Sequence, residues 1–463
     1  MKPIENLNPL DGRYQRHTRK LAEIFSEKGL IKNRIKVEVE YLIYLSQHSE
    51  IGTRNFNQNE IVEIQNLYNL TTENAEIAKA FETKGYNEIP ATNHDVKAIE
   101  YYMKYKLKDT SLKDSLEWIH FALTSDDTNN ISYGLMLADG LEQEILPTLQ
   151  NLYTILNQFS ITYANIPILG RTHGQPASPT TFGKEFRIFA SRLKTQLNQL
   201  STFKPKVKLN GATGNYNAHH VSYQDLDCIK FTENFIEKLN KNRRIKLEPN
   251  LITTQIEGHD TYAELFDNMK RINNILIDLS QDIWRYISDG WLKQKTIEGE
   301  VGSSTMPHKI NPIDFEGGEG NFGIANALYT FFSSKLQISR LQRDLSDSTV
   351  ERNFGSAFGY SLVGYKNIIK GLNKISVNEQ KARDNLNSHP EIISEAIQTV
   401  LRREGENMPY EILKNLTRGR KTTMKDFKIF INELNISQTL KDELHQITPE
   451  NYTGIAKLLA KNQ

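Results

Sequence analysis

The sequence predicts an all-α fold, and three observations predict it. Apolar residues recur three and four apart over many turns, the mark of helices that bury one continuous stripe. Runs of β-branched residues alternating with polar ones are scarce, and turn pairs do not recur at short spacing. Finally, at about 1.5 Å per residue a stripe of about 25 residues makes a helix about 40 Å long. That exceeds what one small domain needs, so an elongated bundle shared between subunits is expected.

The stripes dominate the middle of the chain. The first runs Leu135, Ala138, Leu141, Ile145, Leu149, Leu152, Leu156, Phe159, with Pro147 inside it as a kink. The second runs Phe182, Phe186, Phe189, Leu193, Leu197, Leu200, Phe203. The most regular is Leu265, Met269, Ile272, Leu276, Leu279, Ile283, Tyr286, whose alternation of four and three keeps a heptad register. A weaker fourth holds Phe354, Phe358, Leu362, Tyr365, Ile369 and Leu372. Where this long period begins and ends, the chain divides into an N-terminal helical domain (1–115), a central long-helix bundle (116–375) and a small C-terminal helical domain (376–463).

Lysine plus arginine (57) and aspartate plus glutamate (56) nearly cancel over 463 residues. No surplus of positive charge exists to hold a nucleic acid or an anionic membrane. The single cysteine, Cys228, allows no internal disulfide and no Cys-rich metal centre. MKPIENLNPLDGRY has no apolar signal core, and no apolar run is long enough to span a bilayer. A soluble cytoplasmic protein is expected.

Between the stripes lie dense polar clusters: DGRY (11–14), TNHD (92–95), TSDDTNN (124–130), GRTHGQPASPTTFG (170–183), NGATGNYNAHH (210–220), TTQIEGHD (253–260), GSSTMPHKINP (302–312) and SRLQRDLSDSTVERN (339–353). Most fall at expected helix ends, where free N–H groups and the helix dipole attract anions. Read singly, each is equally a capping turn: Thr124, Ser125 and Asp126 are good N-caps, and Gly170 or Gly183 can end and begin helices. Their number points to a site. His173, in a loop between Thr172 and Gly174, can exchange a proton near neutral pH or serve as a hydrogen-bonded structural residue, the commoner role of a lone loop histidine. Asn93, His94 and Asp95 form a polar trio that can grip a phosphate or carboxylate, or close an Asx-turn. His219–His220 and His259–Asp260 lack metal-ligand spacing, and NGATGN lacks a P-loop ending. Arg13, Arg343 and Arg352 can supply charge-assisted bonds to anions, or form an exposed ion-pair face. In GSSTMPHKINP, Pro307 and Pro312 block a helix around a hydroxyl, a cation and an amide, which suits a mobile catalytic lid.

GSSTMPHKINP resembles the signature of the fumarase and aspartase superfamily, whose members cleave C–N or C–O bonds by β-elimination. His308 in MPHK is similar to adenylosuccinate lyases and carboxymuconate cycloisomerases. PLDGRY, TNHDVKAIEY, TSDDTNN, RTHGQPASPTTFGKE, NGATGNYNAH, TTQIEGHD and QRDLSDSTVERN resemble the bacterial adenylosuccinate lyase pattern from Pro9 to about Arg420. Asp126 stands where glutamate is commoner.

The resemblance implies a C–N lyase of purine biosynthesis. Its substrates would be adenylosuccinate, giving AMP, and SAICAR, giving AICAR, each with release of fumarate and with no cofactor or metal. It implies Ser303 as general base, His173 as general acid, Lys309 as the nearby cation and Glu316 as the partner of the histidine. Asn311 would bind the succinyl carboxylate. Arg13, Tyr14, Asn93, His94, Asp95, Thr124, Ser125, Gln255, Arg343, Ser348 and Arg352 would hold substrate, in composite sites of a homotetramer. A cycloisomerase, or a helical scaffold without activity, are the alternatives. RDLSDSTVERN and DGRY argue against the first, and the presence of Ser303, His173, Lys309 and Glu316 against the second.

Overall fold

Helices carry the structure, a computed structural model that describes residues 3–295, 306, 309–419 and 422–462. Ser303 and the rest of 296–305, with Pro307 and His308, lie outside the described residues. The chain divides into two compact units. One holds Met1–Leu149, Gln196–Asn274 and Gly320–Lys366; the other holds Gln150–Thr195, Ile275–Glu319 and Asn367–Gln463.

In the first unit, α1 (Gln15–Phe25) leads into α2 (Glu27–Gln47), which Ser26 caps by accepting the Gly29 N–H. Helix α2 is buried on two sides, and its buried residues include Asn33, Arg34 and Glu38 as well as apolar ones. Ile35, Val39 and Leu42 meet Phe81, Ile99 and Tyr102 in one cluster. Val37, Tyr41 and Leu45 meet Ile131, Leu135 and Phe235 in another. A helix buried on both sides shows no single stripe, which is why the periodicity above did not find it. Helix α3 (Asp95–Leu107) follows, then α4 (Ser125–Gly140), which passes through a π-turn (Leu141–Ile145) into α5 (Leu146–Thr162). Pro147 stands just after the π-turn: lacking an N–H, it cannot complete the α ladder there.

The remaining long helices are α6 (Phe182–Ser201), α7 (Asp260–Ser288), α8 (Ile313–Lys335) and α9 (Phe354–Lys374). Three match expected stripes, although Phe203 lies past the end of α6. Helix α8 was not expected, since four glycines in IDFEGGEGNFG hide it behind poor helix propensity. Its C-terminal half stacks Tyr329 on Phe266 and sets Phe332 edge-on against the same ring, with Phe354 packed beside them.

Strands are few among the described residues. In the second unit β1 (Pro167–Thr172) pairs antiparallel with β2 (Gln175–Thr181), with a bulge between Ile168 and Gly170. The stretch 170–183, expected as a loop flanked by helix ends, is therefore mostly a hairpin: Gly170 sits in β1 and only Gly183 begins a helix. Two further ladders are very short, Lys206–Val207 with Glu248–Pro249 and Leu292–Gln294 with Ile375–Val377. Among the described residues, no helix is long and apolar enough to cross a membrane.

Candidate functional site

In the first unit the start of α4 gathers the polar motifs. Asp127 is fully buried, and its carboxylate accepts N–H groups from Thr124 at 2.8 Å, Asn210 at 3.0 Å and Gly211 at 3.2 Å. Lys208 Nζ, equally buried, lies 2.8 Å from Asp127 Oδ1 and donates to the carbonyls of Gly211 and Gln255. A buried ion pair is tolerated only with its remaining polar valences filled, and this one draws TSDD, NGATGN and TTQIEGHD together. Gln255 continues the chain of contacts, with its side chain on the Ala212 carbonyl at 3.0 Å and its N–H on the Gln342 carbonyl at 3.2 Å.

His94 caps α3 by accepting the Lys97 N–H on Nδ1, and its Nε2 lies 3.4 Å from Ser125 Oγ. The trio thus closes a cap and still leaves His94 and Asn93 exposed. Asp95 Oδ2 sits between two guanidiniums, 2.6 Å from Arg34 Nη2 and 2.8 Å from Arg352 Nη2. Burial alone would push its carboxyl up, but the two cations hold it below the usual range. Arg352 also reaches Glu27 at 2.9 Å. Beside it, a cavity of about 350 Å³ is lined by Asp11, Glu27, Arg352 and Ser356. Tyr14 is half-buried at the N-terminal end of α1 and Arg13 is exposed, both next to that cavity's Asp11 in sequence. A larger cavity of about 540 Å³, among Gln199, Lys204, Glu248 and Arg271, touches none of the expected residues.

Arg343 Nη1 lies 3.3 Å from Asp126 Oδ1, and its Nε lies 3.4 Å from Asp347 Oδ2 without an aligned hydrogen bond. Burial pushes the Asp126 carboxyl up to about 7, against the opposing pull of Arg343. Ser348 donates its hydroxyl to the Leu345 carbonyl at 3.2 Å. Thus Asp95, His94, Ser125 and Arg352 are linked by direct contacts around the starts of α3 and α4. Thr124, Gln255 and Arg343 join the same region through Asp127, Lys208 and Asp126.

The comparisons with known proteins decide the family. Residues 12–323 match the family described as lyase, and residues 339–453 match the adenylosuccinate lyase C-terminal family. An adenylosuccinate lyase of Dictyostelium discoideum is 47% identical over 460 residues, covering 97% of this chain and 96% of its own. That of Legionella pneumophila is 46% identical with 99% and 98% covered, and that of Escherichia coli 44% with 98% of each. The chain belongs to the adenylosuccinate lyase family. A fumarate lyase from Mesorhizobium shares the fold at TM-score 0.76 and 17% identity, over 96% of this chain and 97% of that one. A 3-carboxy-cis,cis-muconate lactonizing enzyme from Pseudomonas putida does so at 0.74 and 18%, over 98% and 97%.

Of the residues that the adenylosuccinate lyase resemblance assigns to chemistry, the described ones, His173, Lys309, Asn311 and Glu316, fall in the second unit. His173 and Gly174 form the two-residue turn of the β1–β2 hairpin, with φ of 53° and 75°. Positive φ at both central positions is the type I′ geometry that matches the twist of the strands. It presents the imidazole to solvent at the hairpin tip. Glu316, in the first turn of α8, accepts the Trp284 indole N–H at 3.1 Å. No hydrogen bond among the described residues joins it to His173. Lys309 is exposed, its N–H on the Met306 carbonyl at 3.0 Å, and Asn311 is half-buried just before α8.

Sequence reading missed several partners in this adenylosuccinate lyase family member: the buried Arg34, Glu38, Asp127, Lys208 and Glu351, and the half-buried His120. Glu38 accepts from Thr128 and contacts His120 Nδ1, both at 2.7 Å. Burial lowers the His120 affinity for a proton, but Glu38 outweighs it and raises the pKa. His259 pairs with Glu351 at 3.3 Å rather than with its neighbour Asp260. The available signal was a charge set among apolar residues, as in KVEVEYLIYL around Glu38.

Proposed function

We propose that this chain cleaves the C–N bond of adenylosuccinate, releasing fumarate and AMP, and treats SAICAR in the same way to give AICAR. The observation that carries this is near full-length similarity to adenylosuccinate lyases, 47% identity over 97% of the chain in one case. Elimination needs a proton removed beside a carboxylate, stabilisation of the charge that develops there, and protonation of the departing nitrogen. Ser303 takes the first role as an alkoxide, with Lys309 as the cation that makes an ionised hydroxyl tolerable. Asn311 holds the carboxylate. His173 protonates the nitrogen, and its placement on a rigid two-residue turn supports that role, because a general acid must be held within hydrogen-bond reach of its target. The cluster of His94, Asp95, Thr124, Ser125, Gln255, Arg343, Ser348 and Arg352, with Arg13, Tyr14 and Asn93, holds the nucleotide and succinyl ends.

The protein works as a homotetramer with composite sites, in which Glu316 of one protomer meets His173 of another. Within one chain Glu316 accepts the Trp284 indole N–H. Segments 1–115, 116–375 and 376–463 serve as three domains of each protomer.

The test is fumarate release by the purified protein from adenylosuccinate and SAICAR in parallel, with argininosuccinate and a carboxymuconate as controls. Turnover of both purine substrates alone is expected. Turnover of neither by an intact oligomer overturns the reading, and turnover of the carboxymuconate replaces it.

A further inference from the structure

The guanidinium of Arg34 has no place in the roles assigned above, yet its surroundings are unusually specific. It projects from α2 with a side chain only 2% exposed. Nη2 lies 2.6 Å from Asp95 Oδ2 and Nε lies 2.8 Å from Asn129 Oδ1. Asp95 is the first residue of α3, and Asn129 lies in the second turn of α4. One buried side chain therefore joins the starts of two helices, where His94 and Ser125 approach to 3.4 Å. The oxygen it grips is also the one that Arg352 Nη2 reaches at 2.8 Å. Asp95 is thus fixed from the core side and orients an arginine on the solvent side, where Arg352 borders the cavity shared with Glu27 and Asp11.

We propose that Arg34 is a positioning residue for nucleotide binding: held by Asn129, it locks Asp95, and through Asp95 sets Arg352 and the His94–Ser125 approach. The proposal rests on the reading that these last residues hold the nucleotide. A buried charge is tolerated only when its polar valences are filled, and the planar guanidinium meets the Asp95 carboxylate and the Asn129 amide oxygen in two fixed directions. A lysine ammonium places its three donors on one atom, so it cannot reproduce the spacing of Nε and Nη2 that meets Asn129 and Asp95 from one side chain. Preorganisation of this kind acts on affinity, because a free Asp95–Arg352 pair would sample other rotamers and lose that freedom on binding.

The experiment compares wild type, Arg34→Lys, Arg34→Met, Asp95→Asn and the double variant Arg34→Met/Asp95→Asn. It measures steady-state kinetics with adenylosuccinate, calorimetric affinity for AMP, and thermal melting. For Arg34→Lys we expect KM and the AMP Kd to rise about tenfold, kcat to stay within about threefold, and cooperative melting to persist. The double variant should bind AMP no more weakly than Asp95→Asn alone, because both changes break the same path. An AMP Kd for Arg34→Lys within about twofold of wild type overturns the proposal, as do additive losses in the double variant. So does a parallel loss of kcat and of cooperative melting in Arg34→Lys, the signature of a merely structural role. Wild type that binds AMP without turnover would sink the reaction reading alone, and Arg34 would still be judged from Kd. Wild type that does neither sinks both.

Discussion

At the scale of single residues, the proposed chemistry rests on His173, whose backbone adopts a positive φ. Asparagine is among the few side chains that tolerate that conformation. His173→Asn should therefore keep the turn while removing the proton donor. We expect kcat to fall by at least about 100-fold with unchanged melting; near-normal kcat would exclude the acid role. Asp126 gives a second prediction. Its folded pKa of about 7 stands above the unfolded value of about 3.9. The folded protein thus holds a proton that the unfolded chain has released between those values. The stability that this supplies is full below about pH 4 and is lost as pH rises towards 7. Asp126→Asn mimics the protonated group, so its stability relative to wild type should grow from pH 5 to 7, by on the order of 1 kcal/mol per pH unit. Urea unfolding at fixed protein concentration measures this, and a difference that is flat with pH would mean that Arg343 keeps the carboxyl charged.

At the scale of elements, the β1–β2 hairpin and helices α2 and α8 show where reading from sequence stops. THG was legible as a polar, titratable turn, but the flanking GR and QPASPTT gave no alternating pattern, because proline and small residues break it. Pairing across the hairpin supplied what local propensity did not. Two of its glycines carry different loads. A Cβ on Gly170 would stand 2.2 Å from the Ser178 carbonyl oxygen, whereas one on Gly174 would meet nothing within 4 Å. Gly174→Ala should cost only the backbone strain of φ +75°, about 1 kcal/mol. Gly170→Ala must push the strands apart, costing about 1–3 kcal/mol and displacing His173. Thermal melts with activity assays would separate the two; equal, small losses would refute the close approach. Helix α2 was hidden for the opposite reason to the hairpin, since burial on two faces erased its stripe.

At the scale of the whole molecule, the proposal of composite sites makes a prediction that no single chain can satisfy. Ser303→Ala and His173→Asn should each abolish turnover alone. Mixed, partly dissociated and reassembled, they should recover activity, because some sites then draw an intact serine and an intact histidine from different protomers. Native mass spectrometry with one variant isotopically labelled would confirm mixed tetramers. No recovery from a mixed tetramer would place both residues of each site in one protomer.

The sequence by itself determined the helical class, the long helices α4–α5, α6, α7 and α9, and the identity of the polar clusters, because periodic burial and dense motifs are local properties of the chain. Tertiary structure decided which clusters touch. Asp127 with Lys208 pins three motifs from separate regions, and Arg34 joins the starts of α3 and α4. Such contacts span from 61 to 95 residues along the chain for Arg34 alone. Periodicity cannot reach that far, since a buried charge finds its partner only once the helices around it have packed.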